Sequence, residues 1–174
     1  SSRFSKGNRW GTFYSVSAGW NMEEEEWLRN NPTVNKLKLR AGFGAIGNPN
    51  IGLYAYSDRM VRGAYYMFGE NALSGYYQST LANTDLKWET SNQFNFGTDF
   101  EFLKGEFGLT IDYYYKVTNN MLVQEALPLS VGNAATPWVN NGSVLNTGVD
   151  IEFAWHTTWK AGGLDLTLNG GYLH

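Results

Sequence analysis

The chain has 174 residues and a formal charge of −3, and only 17% of its residues are charged. This mildly acidic sequence has no basic cluster, which argues against a nucleic-acid partner. It contains no cysteine, so disulfides and thiolate metal sites are excluded. Its two histidines lack partners at ligand spacing, so we expect neither a metal site nor a cofactor.

Three elements are predicted in the first part of the chain. Alternation of apolar and polar residues predicts a strand over residues 11–20 and another over residues 37–45. Between them, residues 22–29 have the pattern of a short helix that Asn21 can cap, with its glutamates near the positive end of the helix dipole. Pro32 closes that segment.

The strongest pattern is an alternation that begins at residue 90 and predicts strands over residues 90–102, 107–123, 149–159 and 164–172. Runs of about ten residues are what a tilted strand needs to cross a hydrocarbon layer. One face of these strands is apolar and the other carries charges and amides. The apolar positions predicted to face lipid are Phe94, Phe96, Phe100, Leu109, Ile111, Tyr113, Ile151, Phe153, Trp155, Leu166 and Leu168.

The connections between the predicted strands alternate in length. Those at residues 103–106 and 160–163 are short, whereas residues 47–87, which have room for short strands of their own, and residues 124–141 form long loops. Short turns on one rim and long loops on the other are typical of outer-membrane barrels. We therefore predict an all-β fold of antiparallel up-and-down strands that forms part of a transmembrane β-barrel wall. About six spanning strands are too few to close a barrel, which usually needs eight or more.

Aromatic side chains near the long loops are the candidate substrate contacts. Rings of Trp and Tyr can stack on the apolar C–H faces of sugars. The alternative is a membrane-interface belt, because Trp and Tyr favour the headgroup level. The candidate contacts are Trp88, Trp138, Tyr54 and Tyr56.

Two carboxylate pairs raise the question of catalysis. Asp99 with Glu101, and Asp150 with Glu152, lie two residues apart on the polar face of a strand. Such pairs can perform acid–base hydrolysis, but charges are also expected on a face that lines a water-filled lumen. We predict no catalytic residue, and we rank a hydrolase third among the possible functions, after the barrel wall and a soluble binding domain. The main rival is a soluble β-sandwich that binds carbohydrate, in which the apolar faces would pack against each other.

Several blocks of the sequence, in their order and spacing, resemble the SusC/RagA-like TonB-dependent outer-membrane receptors of Bacteroidetes, in the C-terminal part of their barrel. One departure is Tyr14, where the family usually has proline. The blocks are NRWGTFYSVSAGW at 8–20, LKLRAGFG at 37–44, GNPNIG at 47–52, NTDLKWET at 83–90, DYYYKVTNNML at 112–122 and NNGSVLNTGVD at 140–150.

This resemblance implies a transporter of the bacterial cell outer membrane that imports nutrients such as glycans or peptides, and it implies no enzyme activity. The expected partners are the remainder of the receptor barrel and its plug, a SusD-like lipoprotein, the TonB system acting through the plug region, the glycan or peptide, and membrane lipid. Residues 1–174 are expected to be a single barrel segment without plug domain or TonB box.

Overall fold

The computed structural model describes residues 2–128, 130 and 135–174. Leu129 and residues 131–134, in the predicted loop 124–141, lie outside the described residues. Within the described ranges no helix has the length and apolar character needed to cross a membrane. The strands are β1 Ser15–Asn21, β2 Val34–Asn48, β3 Arg59–Phe68, β4 Asn71–Thr80, β5 Glu89–Phe102, β6 Phe107–Asn119, β7 Leu122–Gln124, β8 Trp138–Asn140, β9 Ser143–Trp159 and β10 Gly162–Leu173.

The chain divides into two compact units, each assembled from three segments. The sheet unit comprises Phe13–Ile46, Ser91–Val117 and Val144–His174. The loop unit comprises Ser1–Thr12, Gly47–Thr90 and Thr118–Ser143. The two predicted short turns therefore belong to the sheet unit, and the two predicted long connections belong to the loop unit.

The sheet contains six strands in the order β1-β2-β5-β6-β9-β10. Each spanning strand lies beside the spanning strand that precedes it in sequence, as predicted for an up-and-down wall. The β1–β2 and β9–β10 pairs are antiparallel. All six predicted spanning strands are present, but two of them are shorter than predicted. The first begins at Ser15 instead of residue 11, and β6 ends at Asn119, since Leu122–Gln124 pair with β8 in a separate sheet.

The pairing register of the β1–β2 and β9–β10 pairs confirms that these strands separate an apolar face from a polar face. In the β9–β10 pair, Phe153 lies opposite Leu168. Its neighbour Glu152 lies opposite Asn169. Because side chains alternate between faces, this register keeps apolar residues beside apolar ones across the strands.

The sheet unit has no hydrophobic core of its own among its strands. The buried hydrophobic residues of the described chain are Phe4, Leu28, Ile51 and Leu86, and none of them lies in a strand. On the apolar face, Phe94 and Leu166 are each 41% exposed and Leu168 is 58% exposed. A β-sandwich would bury this face against a second sheet, so the sandwich reading is wrong.

The helix predicted at residues 22–29 is also wrong. Met22–Glu24 form a single 3₁₀ turn, and Asn21 makes no side-chain capping bond. The glutamates are engaged elsewhere, since Glu23 Oε2 accepts a hydrogen bond from the Leu37 backbone N–H at 3.3 Å. Adjacent like charges and a length below about 12 residues leave a helix here without support.

The loop unit is organised around a small hydrophobic cluster. Phe4, Ile51 and Leu86 are buried at its centre. Two antiparallel hairpins belong to this unit, β3 with β4 and β7 with β8. The first confirms that the segment 47–87 has strands of its own. Its register shifts between Arg62 and Ala64, where a bulge interrupts the alternation.

Candidate functional site

The polar face of the sheet carries a network of ion pairs across three strands. Arg40 on β2 donates to both carboxylate oxygens of Asp99 on β5, at 2.9 and 3.0 Å. Its Nη2 also donates to Asp112 on β6, at 3.0 Å. On the same face, Lys36 pairs with Glu101 at 3.0 Å. The carboxylates of Asp99 and Glu101 therefore serve a cross-strand charge network.

Gly97 makes room for this network. It is buried, and a Cβ at this position would lie 2.9 Å from Arg40 Nη2 and would collide with the Asp112 carboxylate. Only a residue without a side chain lets the guanidinium lie across the strand. The glycine thus permits one cation to bridge two carboxylates on the polar face.

The loop unit is braced by side-chain amides that bond to the backbone of distant segments. Asn83 Nδ2 donates to the Trp138 carbonyl at 2.8 Å. Asn140 Nδ2 donates to the carbonyls of Lys87 at 2.8 Å and Asn120 at 2.9 Å. These amides join segments that lie far apart in the sequence. Asn83 and Asn140, which lie in two of the sequence blocks noted above, therefore help to hold the loop unit together.

Trp88, Tyr56 and Trp138, three of the candidate aromatic contacts, pack against the hydrophobic cluster of the loop unit. The Trp88 ring stacks on Phe4 with centroids 5.2 Å apart, and its Nε1 donates to the Asn8 carbonyl at 3.1 Å. These contacts give the rings a structural role, and their contact with substrate stays a prediction.

Tyr54 differs from the other three candidates because its side chain is 59% exposed. Its backbone adopts a left-handed conformation with φ of 58°, which is uncommon for a residue with a large side chain. The Tyr56 ring lies beside it, with centroids 6.4 Å apart. The turn therefore presents the Tyr54 ring to solvent.

Tyr54 and Trp138 line the same depression in the loop unit, which has a volume of about 440 Å³, in the range of small-ligand pockets. The sequence patterns predicted these two residues as contacts, and the fold brings them together. The charged residues Asp58 and Arg59 also line it, and no pattern in the sequence singled them out. Its other lining residues are Gly52, Leu53, Ala55, Ser57, Thr80, Gln124, Ala135 and Thr136.

Comparison with known proteins gives a match over the whole sequence. Residues 1–174 match the family model described as TonB dependent receptor-like, beta-barrel. The chain is 38% identical over 162 residues to the TonB-dependent receptor SusC of Bacteroides thetaiotaomicron, an alignment covering 87% of this chain and 16% of that protein. It is 32% identical over 170 residues to TonB-dependent receptor P3 of Formosa agariphila, covering 92% of this chain and 17% of that protein.

Solved structures also match this chain over almost its whole length. The fold is similar to a chain of the structure of the RagAB peptide transporter, with a TM-score of 0.84, 28% identity, and coverage of 99% of this chain and 19% of that chain. The RagAB peptide importer in the closed-closed state gives a TM-score of 0.85 at 28% identity, covering 99% of this chain and 18% of that chain. The chain thus spans less than a fifth of the length of these relatives.

Proposed function

Because the chain belongs to the TonB dependent receptor-like β-barrel family, we propose that it is a wall segment of an outer-membrane transporter that imports nutrients such as glycans or peptides. The observation that carries this proposal is the sheet unit, whose strands pair in the order of a barrel wall and expose an apolar face. A closed barrel satisfies every backbone hydrogen bond within a membrane, and only neighbouring wall strands can complete it.

The two faces of the sheet would have different surroundings in the complete barrel. The apolar face, with the eleven residues predicted from the alternation, faces acyl chains. The polar face, with the Arg40–Asp99–Asp112 network, lines the lumen, where charges are hydrated. This wall segment acts by position and carries out no chemistry, so we assign it no enzyme activity.

The proposed partners are those of a complete receptor. They comprise the rest of the barrel with its plug, the TonB system that acts through the plug region, a SusD-like lipoprotein, the imported nutrient and membrane lipid. The peptide named in the description of the RagAB structures supports a peptide as one class of substrate.

Uptake by cells that carry or lack the full-length receptor tests this function. Deleting the receptor gene should abolish growth on at least one oligosaccharide or peptide mixture as sole nutrient, and restoring the gene should restore that growth. Removal of TonB should have the same effect, since it removes the energy source, and the receptor should fractionate with the outer membrane. Recovery of the receptor in the soluble fraction would overturn the proposal.

A further inference from the structure

The depression between Tyr54 and Trp138 is lined by two charged residues whose side chains have no ion-pair partner among the described residues. Asp58 and Arg59 both line it. Across the part of the chain that the structure describes, neither side chain forms an ion pair or a side-chain hydrogen bond. By contrast, the ion pairs of the polar sheet face join Lys36 and Arg40 to their acidic neighbours.

Arg59 is held in place through its backbone. It is the first residue of β3, it pairs with Thr80 on β4, and its carbonyl accepts a hydrogen bond from Ser79 Oγ at 3.0 Å. The main chain of Arg59 is therefore held by the β3–β4 pairing, whereas its guanidinium makes no hydrogen bond within the described residues. Arg62, three residues further along β3, instead donates through Nε to Ser74 Oγ at 3.0 Å.

A guanidinium beside aromatic rings in a depression has a defined chemical preference. Arginine binds carboxylates through two parallel charge-assisted hydrogen bonds. Aromatic rings offer flat apolar surface to a sugar ring or an aliphatic chain. We propose that this depression is a subsite for a carboxylate-bearing group, with Arg59 as its clamp and the rings of Tyr54 and Trp138 against the attached apolar portion. Asp58 accepts hydrogen bonds from hydroxyl or ammonium groups of the same ligand.

The inference rests on the proposed function, since it assigns chemistry to the imported nutrient. A carboxylate can come from an acidic sugar or from the C-terminus of a peptide, and Arg59 recognises the group common to both. The test therefore uses two matched pairs of probes with the purified full-length receptor in detergent. One pair is an oligogalacturonide and its methyl ester, and the other is a tetrapeptide and its C-terminal amide.

Calorimetric titration should show the acid member of one pair binding about tenfold or more tighter than its neutral counterpart, as a charge-assisted hydrogen bond predicts. The pair that shows the preference identifies the source of the carboxylate. Arg59→Gln should remove the preference and leave the neutral member unchanged. Arg62→Gln, which changes an exposed arginine of the same strand outside the depression, should keep the preference.

Tyr54→Ala should weaken both members of the responding pair, and because this ring is exposed the variant should fold normally. The acid preference should also fall as salt is raised from 50 to about 500 mM, because ions screen the charge. Equal binding of acid and neutral probes, an unchanged preference in Arg59→Gln, or no binding of any probe would overturn the subsite. Outer-membrane fractionation and TonB-dependent growth would still report on the proposed function separately.

Discussion

Gly148 on β9 lies where a side chain would clash with the neighbouring strand. It is buried, and a Cβ here would lie 2.5 Å from the backbone oxygen of Tyr172 on β10 and 2.5 Å from the Tyr114 hydroxyl. Backbone atoms in a paired strand cannot move aside without breaking the ladder, so we expect Gly148→Ala to destabilise the receptor by about 1–3 kcal/mol. The temperature at which the folded barrel loses its fast mobility in a detergent gel measures this change.

Gly170 on β10 is the matched control for that substitution. It pairs with Ile151 on β9, and a Cβ there would meet nothing within 4 Å. Gly170→Ala should therefore change stability by less than about 0.5 kcal/mol. Equal loss of stability in the two alanine variants would show that the effect of Gly148→Ala comes from lost glycine flexibility and not from the close approach of Tyr172.

Thr98 on β5 gives a prediction of the opposite sign. Its hydroxyl oxygen is buried and has no hydrogen-bond partner within the described structure. Removing an unsatisfied polar group while keeping the side-chain shape should stabilise the fold, so Thr98→Val should raise stability by about 1 kcal/mol in the same heating assay. Thr167→Val, at an exposed position of β10, should have no such effect. A loss of stability in Thr98→Val would mean that the hydroxyl has a partner in the complete receptor.

Among the elements, the spanning strands were predictable from sequence because their signal is local. An alternation with a period of two residues identifies the strand and also shows which side chains share a face. The predicted strand over residues 149–159, for example, lies within β9, Ser143–Trp159. The contacts that assemble the loop unit carry no such local signal. Asn83 and Trp138 lie 55 residues apart, so one sequence without homologues gives no reason to join them.

The candidate site was predictable only in part for the same reason. Aromatic composition near the long loops indicated Tyr54 and Trp138, which the fold brings to one depression. The role proposed for Arg59 depends on its side chain having no partner among the described residues, and that becomes visible only when the surrounding segments are placed. The helix predicted at residues 22–29 was wrong because that prediction relied on a cap from Asn21 and on glutamates near the helix dipole. In the structure Asn21 makes no capping bond, and Glu23 and Glu25 instead accept hydrogen bonds from groups outside the segment.

The face assignment of the strands leads to a prediction at the scale of one element, β10. Leu168 and Asn169 are adjacent and both exposed, and they point to opposite faces of the sheet. If the apolar face meets lipid, Leu168→Arg places a charge in hydrocarbon and should cost about 2–4 kcal/mol near the bilayer midplane. Asn169→Arg, on the lumen side, should cost little. The amount of folded receptor in outer-membrane fractions, compared by quantitative blotting, measures both.

An equal response of the two arginine variants would contradict the assignment of faces. A larger loss in Asn169→Arg would reverse it and would place the Arg40 network toward lipid. The comparison is sharp because the two positions differ by one residue in sequence, lie in the same strand, and receive the same new side chain.

At the scale of the whole molecule, the sheet has two edges that only other strands of a barrel can pair with, and an apolar face that needs lipid to cover it. Within the described strands, β1 and β10 each pair with a single neighbour. Unpaired strand edges and exposed apolar surface both promote association of chains. We therefore expect residues 1–174, produced alone in detergent-free buffer, to form large aggregates that sediment in analytical ultracentrifugation.

Detergent separates the two causes of this aggregation. Micelles cover the apolar face but cannot supply the backbone partners that the edges of β1 and β10 lack. We expect detergent to disperse most of the sedimenting material into small assemblies joined through their edges, while the full-length receptor sediments as a discrete species. A monomer that stays soluble without detergent and unfolds cooperatively would contradict this account, because it would require the apolar face of the sheet to be buried within the chain itself.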